Sequence, residues 1–342
     1  MNKKWLILIA VVTLFVAFAS WFGWQLYRFE DRVLVRGAEP VYYELKPGTS
    51  LTQVAKDFEK MHLIKHPYWF MLFTQLEGKS GNLQAGEYSF PKGATAGTVL
   101  NVLVKGLVIQ RSLTIIEGWN ITQTLQAVND NPYLKHSLQQ VPPEQLLVAL
   151  GYKPGNAEGM FYPDTYLFSR GVQDKVILKK AYNKMQRILA KEWDNRAPDL
   201  PYQSVYEALI VASLVEKETA IESERPLVAG VIVLRLQKGM PLQIDPTVIY
   251  GMGVNYAGNI SKQDLQKDTP YNTYTRRGLP PTPIAMPSES SIHAALHPDI
   301  QGYLYFVATG DGSHQFSKTL KQQDKAVRAY LKKLKETKNG NK

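Results

Sequence analysis

The sequence SVYEALIVASLVEKETA occupies residues 204–220 of the 342-residue chain and predicts its central helix. Ser204 and Glu207 have the spacing of a capping box, and no Gly or Pro interrupts the apolar run that follows. Glu218 stands near the end of this helix and shares its face with large apolar side chains, namely Val215, Leu214 and Val211. Glu216 has apolar neighbours on the opposite face, so the helix is predicted to lie at the centre of its domain. Periodicity alone leaves open which of the two glutamates serves a functional site.

A second helix is predicted directly after the first, from near residue 223 to residue 238. Pro226 would lie in its first turn, and Gly239 would end it as a left-handed cap. The next segment, QIDPT at residues 243–247, predicts a short helix that Asp245 caps. The sequence therefore places an acidic side chain at the junction of packed helices.

Residues 5–26 carry no formal charge and form a stretch long enough to span a bilayer. The alternative is a cleaved signal peptide, since residues 17–19 have the A-x-A form of a signal-peptidase site. The apolar run continues beyond that site to Trp24, which suits an interfacial aromatic belt and favours an uncleaved anchor. Lys3 and Lys4 precede the span, which predicts a cytoplasmic N-terminus and an exported remainder of the chain.

The formal net charge is +10, which would allow binding to nucleic acid. An exported location argues against that partner and leaves anionic cell-wall or lipid surfaces. Much of the excess charge lies in a lysine-rich C-terminal end, a pattern typical of a solvated tail. The absence of cysteine excludes thiol nucleophiles and cysteine-based metal sites. His293 and His297 have a helical i, i+4 spacing, but no HExxH motif accompanies them, so surface or capping roles are favoured and no metal is predicted.

The region after the span predicts a small mixed subdomain. Residues 41–45 alternate as a strand, a Pro-Gly-Thr turn leads into a helix, and residues 86–90 form a second strand. This order resembles a LysM module, a glycan-binding fold, with a longer helical region between the strands.

Residues 255–283 are rich in Gly, Pro, Asn and Tyr and predict a long loop with a ligand-binding role. Tyr271, Asn272, Thr273 and Tyr274 offer stacking faces together with amide and hydroxyl groups, which suit sugars. The alternative is a structural turn with packed tyrosines.

The segment VASLVEKET, followed by RPLVAGVIVLRLQKGMPLQIDPTVIYG, resembles the core signature of the bacterial endolytic murein transglycosylases, the YceG-like family. Further segments agree with this family and extend the resemblance over most of the chain from about residue 40: EGMFYPDTY at 158–166, PYNTY at 270–274, GLPPTPI at 278–284 and FVATGDGSHQFSKT at 306–319. The resemblance implies that the second glutamate of E-K-E-T, Glu218, is the catalytic acid.

The resemblance also implies a lyase reaction without a cofactor. Glu218 would protonate the bond between N-acetylmuramic acid and N-acetylglucosamine, and would then take a proton from the muramic acid 6-hydroxyl as a 1,6-anhydro ring closes. The expected partners are peptidoglycan glycan strands, the cytoplasmic membrane and, as candidates, peptidoglycan synthases. The expected substrate-binding residues are Gln243, Asp245, Tyr271, Asn272, Thr273 and Tyr274.

Two other functions remain open from the residues themselves. One is a non-catalytic peptidoglycan-binding scaffold, in which Glu218 forms a structural salt bridge with Lys217 or Lys238. The other is a lysozyme-type hydrolase that uses Asp245 as a second carboxylate.

The predicted fold is α+β, with a single transmembrane helix, a LysM-like α/β subdomain and a mostly helical catalytic domain with short strands. The predicted boundaries are 1–4 for the cytoplasmic N-terminus, 5–26 for the anchor, 27–39 for a linker, 40–109 for the LysM-like subdomain and 110–342 for the catalytic transglycosylase domain. The expected location is the bacterial inner membrane, with the C-terminal domain in the periplasm.

Overall fold

The computed structural model describes residues 3–340, and the side chains of all of these except 335 and 337–340. The first two residues of the predicted cytoplasmic segment therefore lie outside the described range. Helices and strands are mixed, as predicted, and follow in the order α1 (Lys3–Glu30), β1 (Val41–Leu45), α2 (Leu51–Lys60), α3 (Pro67–Leu76), β2 (Gly86–Phe90), α4 (Ala96–Lys105), β3 (Gln110–Thr114), α5 (Ile121–Asn129), α6 (Leu146–Ala149), β4 (Thr165–Ser169), α7 (Asp174–Asp194), α8 (Val205–Glu218), α9 (Arg225–Gln237), α10 (Asp245–Met252), α11 (Lys262–Gln266), α12 (Glu289–Leu296), β5 (Tyr305–Ala308), β6 (His314–Ser317) and α13 (Leu320–Gly340).

The chain divides into two units. The first comprises Met1–Arg111 and Leu167–Gly171, and the second comprises Ser112–Tyr166 and Val172–Lys342. Three two-stranded sheets occur among the described residues, formed by β1 with β2, β3 with β4, and β5 with β6.

The first unit begins with α1, a helix of 28 residues with a mean hydropathy of 2.4 over its most apolar window. Its large apolar side chains are exposed along most of its length; Leu14 and Phe15, for example, are both 70% exposed. A helix of this length and composition fits a single-pass membrane anchor.

The remainder of the first unit packs around an aromatic core. β1 and β2 pair in antiparallel register, with Val41 opposite Phe90. Phe58 of α2 lies at the centre, and its ring meets those of Phe70 and Phe90 edge-on at 5.2 and 6.0 Å. The helices therefore cover one face of a two-stranded sheet.

Residues 27–39, predicted as a linker, are partly built into this core. α1 continues to Glu30, and the backbone N–H of Leu34 donates to the carbonyl of Ala94 at 2.8 Å. Leu34 and Val35 are buried. Charged residues flank the apolar ones in this segment, and burial of the apolar residues decides its structure.

α8 lies at the centre of the second unit, as its all-round apolar pattern predicts. Every side chain from residue 208 to residue 215 is buried, and α7, α9, α10 and α12 pack around it. Ser204 accepts from the N–H of Glu207 at 3.2 Å, which confirms the predicted N-terminal cap. The following helix, α9, ends before Gly239, which has φ +61° as predicted.

The predicted cap of α10 is wrong. Asp245 is the first residue of this helix and not its cap, because the cap position is taken by Ile244. The N–H of Ile244 donates to the hydroxyl of Thr273 at 2.9 Å, a partner from the distant loop. With this contact the helix begins at Asp245, one residue before the predicted start. Among the described residues, the Asp245 carboxylate accepts no hydrogen bond from a backbone N–H.

Candidate active site

A cavity of about 330 Å³ opens at the end of α8. Polar and ionisable side chains from separate elements line it, with an apolar edge from β5: Glu218, Arg235, Leu242, Gln243, Asp245, Tyr274, Phe306, Val307, Ala308 and His314. Four of the residues predicted from sequence, Glu218, Gln243, Asp245 and Tyr274, therefore meet in one place.

Glu218 is half-buried on the wall of this cavity. Among the described residues its carboxylate has no hydrogen bond or ion pair, and Lys217 donates instead to the carbonyl of Gly118 at 3.2 Å. Burial raises the pKa of Glu218 to about 8, with a further rise from the negative charge of Asp245 and an opposing effect from Arg235. The side chain is thus a protonated acid near neutral pH, which faces an open space and can give up its proton.

Glu216, two residues earlier, has a different set of partners. One of its oxygens accepts from the N–H and hydroxyl of Ser288 at 2.9 and 2.5 Å and from the hydroxyl of Ser291 at 2.7 Å. Its other oxygen lies 3.6 Å from the guanidinium of Arg225. Glu216 therefore joins α8 to the start of α12, and its oxygens are occupied.

Asp245 accepts a short hydrogen bond from the phenol of Tyr274. Gln243 has φ +55°, a left-handed conformation that is rare for a residue with a side chain. Its N–H donates to the carbonyl of Thr273 at 3.1 Å, and its side-chain oxygen accepts from Arg235 at 3.1 Å. This strained turn directs both Gln243 and Asp245 into the cavity, and such strain is often found at functional sites.

The lining of this cavity does not include Tyr271, Asn272 or Thr273. The Asn272 amide, in a residue 1% exposed, donates to carbonyls of the neighbouring loop at 2.8 to 3.3 Å, namely those of Lys267, Leu265 and Asp264. Thr273 holds the 243–244 backbone, and Tyr271 packs its ring 4.8 Å from that of Tyr250. These three side chains position the loop, whereas Tyr274 reaches the cavity.

Arg235 and His314 also line the cavity, although they are absent from the residues predicted from sequence. The Arg235 guanidinium donates to the carbonyls of Leu304, Pro241 and Leu242 at 2.7 to 3.0 Å, which fixes its position. His314 Nδ1 lies 2.7 Å from a carboxylate oxygen of Glu224. Both residues belong to segments quoted above for the family resemblance, and that membership was the only signal that could have found them.

A buried glutamate, Glu158, lies outside the lining of this cavity. Glu158 is 1% exposed and accepts from the N–H of Ile121 and the phenol of Tyr250 at 2.9 to 3.1 Å. Burial raises its pKa to about 7, against the effect of these donors.

A group of three side chains has the composition of a metal site. Their potential ligand atoms lie within 4.8 Å of one another, and the residues are Glu192, His293 and His297. His293 Nδ1 lies 2.8 Å from a Glu192 oxygen, so this trio could hold a metal ion, and the expectation of no metal stays a prediction.

Comparisons with known proteins agree on one family. The model of the YceG-like family matches residues 43–329. A protein of Bacillus subtilis strain 168 called endolytic murein transglycosylase is 33% identical over 315 residues, which cover 85% of this chain and 85% of that protein. A protein of the same description from Streptococcus pneumoniae strain D39 is 27% identical over 83% of this chain, which spans 57% of that longer protein. The crystal structure of a yceG-like protein from Listeria monocytogenes aligns with a TM-score of 0.55 at 29% identity, over 84% of this chain and 99% of that one.

Proposed function

This chain belongs to the YceG-like family, and from that premise we propose that it is a membrane-anchored endolytic lytic transglycosylase, a lyase of peptidoglycan, with Glu218 as its acid and base. The observation that carries the proposal is the difference between the two glutamates of α8. Glu216 is fully bonded within the fold, whereas Glu218 has a raised pKa and faces an open cavity.

The proposed reaction has two proton transfers and one carboxyl group. Protonated Glu218 gives its proton to the oxygen that joins C1 of N-acetylmuramic acid to N-acetylglucosamine, and the C1–O bond breaks with development of positive charge on the sugar ring. The muramic acid 6-hydroxyl then attacks C1, and the Glu218 carboxylate takes the proton of that hydroxyl. Asp245 supports the first step because its negative charge helps to keep Glu218 protonated. Its charge also favours the positive ring.

A hydrolase is the second candidate, and one observation favours it. Asp245 does not cap α10, so its carboxylate is free to face the cavity beside Glu218. Hydrolytic glycosidases use two carboxyl groups, one as acid and one as nucleophile or base. Only the products distinguish the two reactions.

The test is to digest purified sacculi in water enriched in oxygen-18 and to analyse the products by mass spectrometry. The lyase yields 1,6-anhydro-N-acetylmuramic acid ends without label, whereas the hydrolase yields reducing muramic acid that carries the label. Glu218→Gln should lower turnover by about 10²–10⁴-fold and still bind glycan. Glu222→Gln, an exposed neighbour, serves as the control and should keep its activity. Labelled reducing ends would overturn the lyase assignment, and an active Glu218→Gln variant would overturn the acid.

Two finer parts of the proposal concern the first unit. The strand, two helices and strand of β1, α2, α3 and β2 support a LysM-like glycan-binding role for residues 40–109. The exposed apolar α1 supports anchorage in the bacterial inner membrane, with the second unit in the periplasm. Peptidoglycan synthases at the same membrane are candidate partners.

A further inference from the structure

A group of cations lies just beyond the end of α1, next to one exposed carboxylate, that of Asp31. Arg32, Arg36 and Lys65 are exposed around a small cavity of about 70 Å³, and none of them forms an ion pair among the residues that the structure describes. The Arg36 Nε donates only to the nearby carbonyl of Val33, at 3.4 Å. The full lining is Phe29, Arg32, Arg36, His62, Leu63, Ile64, Lys65, His66 and Trp69, which includes no carboxylate.

The floor of this cavity is apolar. Phe29, Leu63 and Ile64 are 5%, 9% and 6% exposed and belong to the core of the first unit. Cations at the rim and hydrocarbon beneath them match an amphiphile that carries a negative charge.

A second cavity, of about 820 Å³, continues from the first and shares Phe29, Arg32 and Trp69 with it. Its lining includes one carboxylate, that of the exposed Asp31, beside the guanidinium groups of Arg28 and Arg32. It runs along α1 past Trp24 and Trp21, which are 52% and 50% exposed. The ring of Trp69 lies 5.7 Å from that of Phe22 on the same helix. The cationic rim therefore leads into an aromatic groove on the helix that is proposed to enter the bilayer.

The charges on this side of the span run against the usual distribution. Arg and Lys residues within about 15–20 residues of a span accumulate on the cytoplasmic side, and acidic residues count for little in that rule. Arg28, Arg32 and Arg36 nevertheless follow α1's apolar stretch on the side proposed to be outside, with Glu30 and Asp31 between them. Arg28 stacks over the Trp24 ring at 4.9 Å. The other two have no such partner in the structure, which leaves them available to a ligand.

We propose that the two cavities together bind an anionic glycerophospholipid of the outer leaflet. Its phosphate lies among Arg32, Arg36 and Lys65, and its acyl chains follow the groove past Trp24 and Trp21. Guanidinium groups suit phosphate because their forked N–H donors match its oxygens. Tryptophan rings are enriched at the boundary between headgroups and acyl chains. This site rests on the proposed membrane anchorage.

The experiment uses the full chain in a neutral detergent, where both ends of α1 are accessible and the result does not depend on topology. Native mass spectrometry measures binding of dioleoyl-phosphatidylglycerol and of dioleoyl-phosphatidylcholine. The variant combines Arg32→Gln, Arg36→Gln and Lys65→Gln. The control removes the same charge from exposed lysines of the same unit through Lys46→Gln, Lys56→Gln and Lys92→Gln.

The wild type and the control should prefer phosphatidylglycerol, and the rim variant should lose on the order of tenfold or more of that affinity, since each cation near an anionic lipid contributes about fivefold. Equal loss in the variant and the control would overturn the site, as would equal binding of the two lipids by the wild type. Inorganic phosphate and glycerol 3-phosphate test the source of the phosphate. If either binds as tightly as the lipid, the site takes a soluble anion and the lipid assignment fails. Sacculus digestion by the rim variant is a separate assay, so failure of the lipid site and failure of the enzymatic proposal are distinguishable.

Discussion

Glu216 and Glu218 are two residues apart in α8, and their carboxylates meet different surroundings. Glu216 accepts from Ser288 and Ser291 and pairs with Arg225. Glu218 has the cavity in front of it and a raised pKa. Substitution by Gln should therefore separate a structural effect from a catalytic one at neighbouring positions.

Glu216→Gln should lower the free energy of unfolding by about 3–5 kcal/mol, because Arg225 would lose its buried anionic partner. Glu218→Gln should instead raise stability near neutral pH. Thermal unfolding of both variants at pH 7.5 measures this pair of opposite shifts. A fall in melting temperature for Glu218→Gln would mean that its carboxylate has a structural role.

The stability difference between the wild type and Glu218→Gln should depend on pH in a defined window. The pKa of Glu218 is raised from an ordinary value of 4.5 to about 8 in the folded state, so the folded chain binds more protons than the unfolded chain between these values. The wild type therefore loses stability relative to the variant as pH rises from 4.5 to 8, and the difference is constant above that. Activity should fall as pH rises through 8, because the acid is then ionised. Melting temperatures and initial rates from pH 4 to 9 check both statements. Glu158 also has a raised pKa, so the same measurements on Glu158→Gln identify its share of the pH dependence of stability.

The loop residues give a third test. Tyr274→Phe removes the hydrogen bond to Asp245 at the cavity and should lower activity with little change in melting temperature. Asn272→Ala removes an amide that holds loop carbonyls and should lower the free energy of unfolding by about 1–3 kcal/mol. Equal effects of the two variants on stability would contradict the different positions of their side chains.

The identity of the acid lay beyond what helical periodicity could decide. Both glutamates follow an apolar helix that is buried on every side, so neither face was marked as polar. The deciding partner of Glu216, Ser288, comes from 72 residues further along the chain. The resemblance to a family implied Glu218, and the occupied oxygens of Glu216 support that proposal. The same limit applies to Asn272: the composition of its loop suggested sugar binding, and only the structure shows that its amide is buried and donates to loop carbonyls.

At the scale of helices and strands, boundaries set by local signals were predictable. Ser204 starts α8 and Gly239 follows α9 as the sequence indicates, because a cap bonds within its own turn. The start of α10 was predicted wrongly, because Thr273 of a distant loop binds the N–H of Ile244. Element boundaries fixed by tertiary contacts cannot be read from the residues of the element itself.

The packing of α9 gives a prediction at this scale. A Cβ atom at Gly230 would lie 2.1 Å from the carbonyl oxygen of Asp299, which is backbone and cannot turn aside. Gly230→Ala should therefore lower the free energy of unfolding by about 1–3 kcal/mol, although alanine is the better helix former. Gly155→Ala is the control, because its Cβ would meet only Leu147 at an ordinary 3.5 Å. Chemical denaturation measures both, and a stable Gly230→Ala variant would show that the 299 segment can move.

At the scale of the whole molecule, the chain combines an exposed apolar helix, an aromatic-cored small unit and a helical unit that contains the cavity. Hydropathy predicted the apolar helix, because that signal depends on a long stretch of sequence. The burial of Leu34 and Val35 was not predicted, since only their distant contact with Ala94 shows it.

The anchor carries the last prediction. A reporter enzyme that works only outside the cytoplasm should be active when it is fused after Lys342, because α1 is proposed to hold the N-terminus in the cytoplasm. Intact mass of the purified protein should include residues 1–26. A mature chain that begins near Ser20 would show that the apolar helix is a cleaved signal peptide.

The link between Glu216 and α12 has a consequence for the order in which the molecule assembles. α8 can form through contacts within its own turns, but the Glu216–Ser288 bond closes a loop of 72 residues, and such distant contacts come late in folding. Until the surrounding elements are in place, Glu218 is a solvated glutamate that ionises like any other and cannot deliver a proton at neutral pH. If Glu218 is the acid proposed above, a newly made chain is therefore inactive, and it becomes active only when its last long-range contacts have closed.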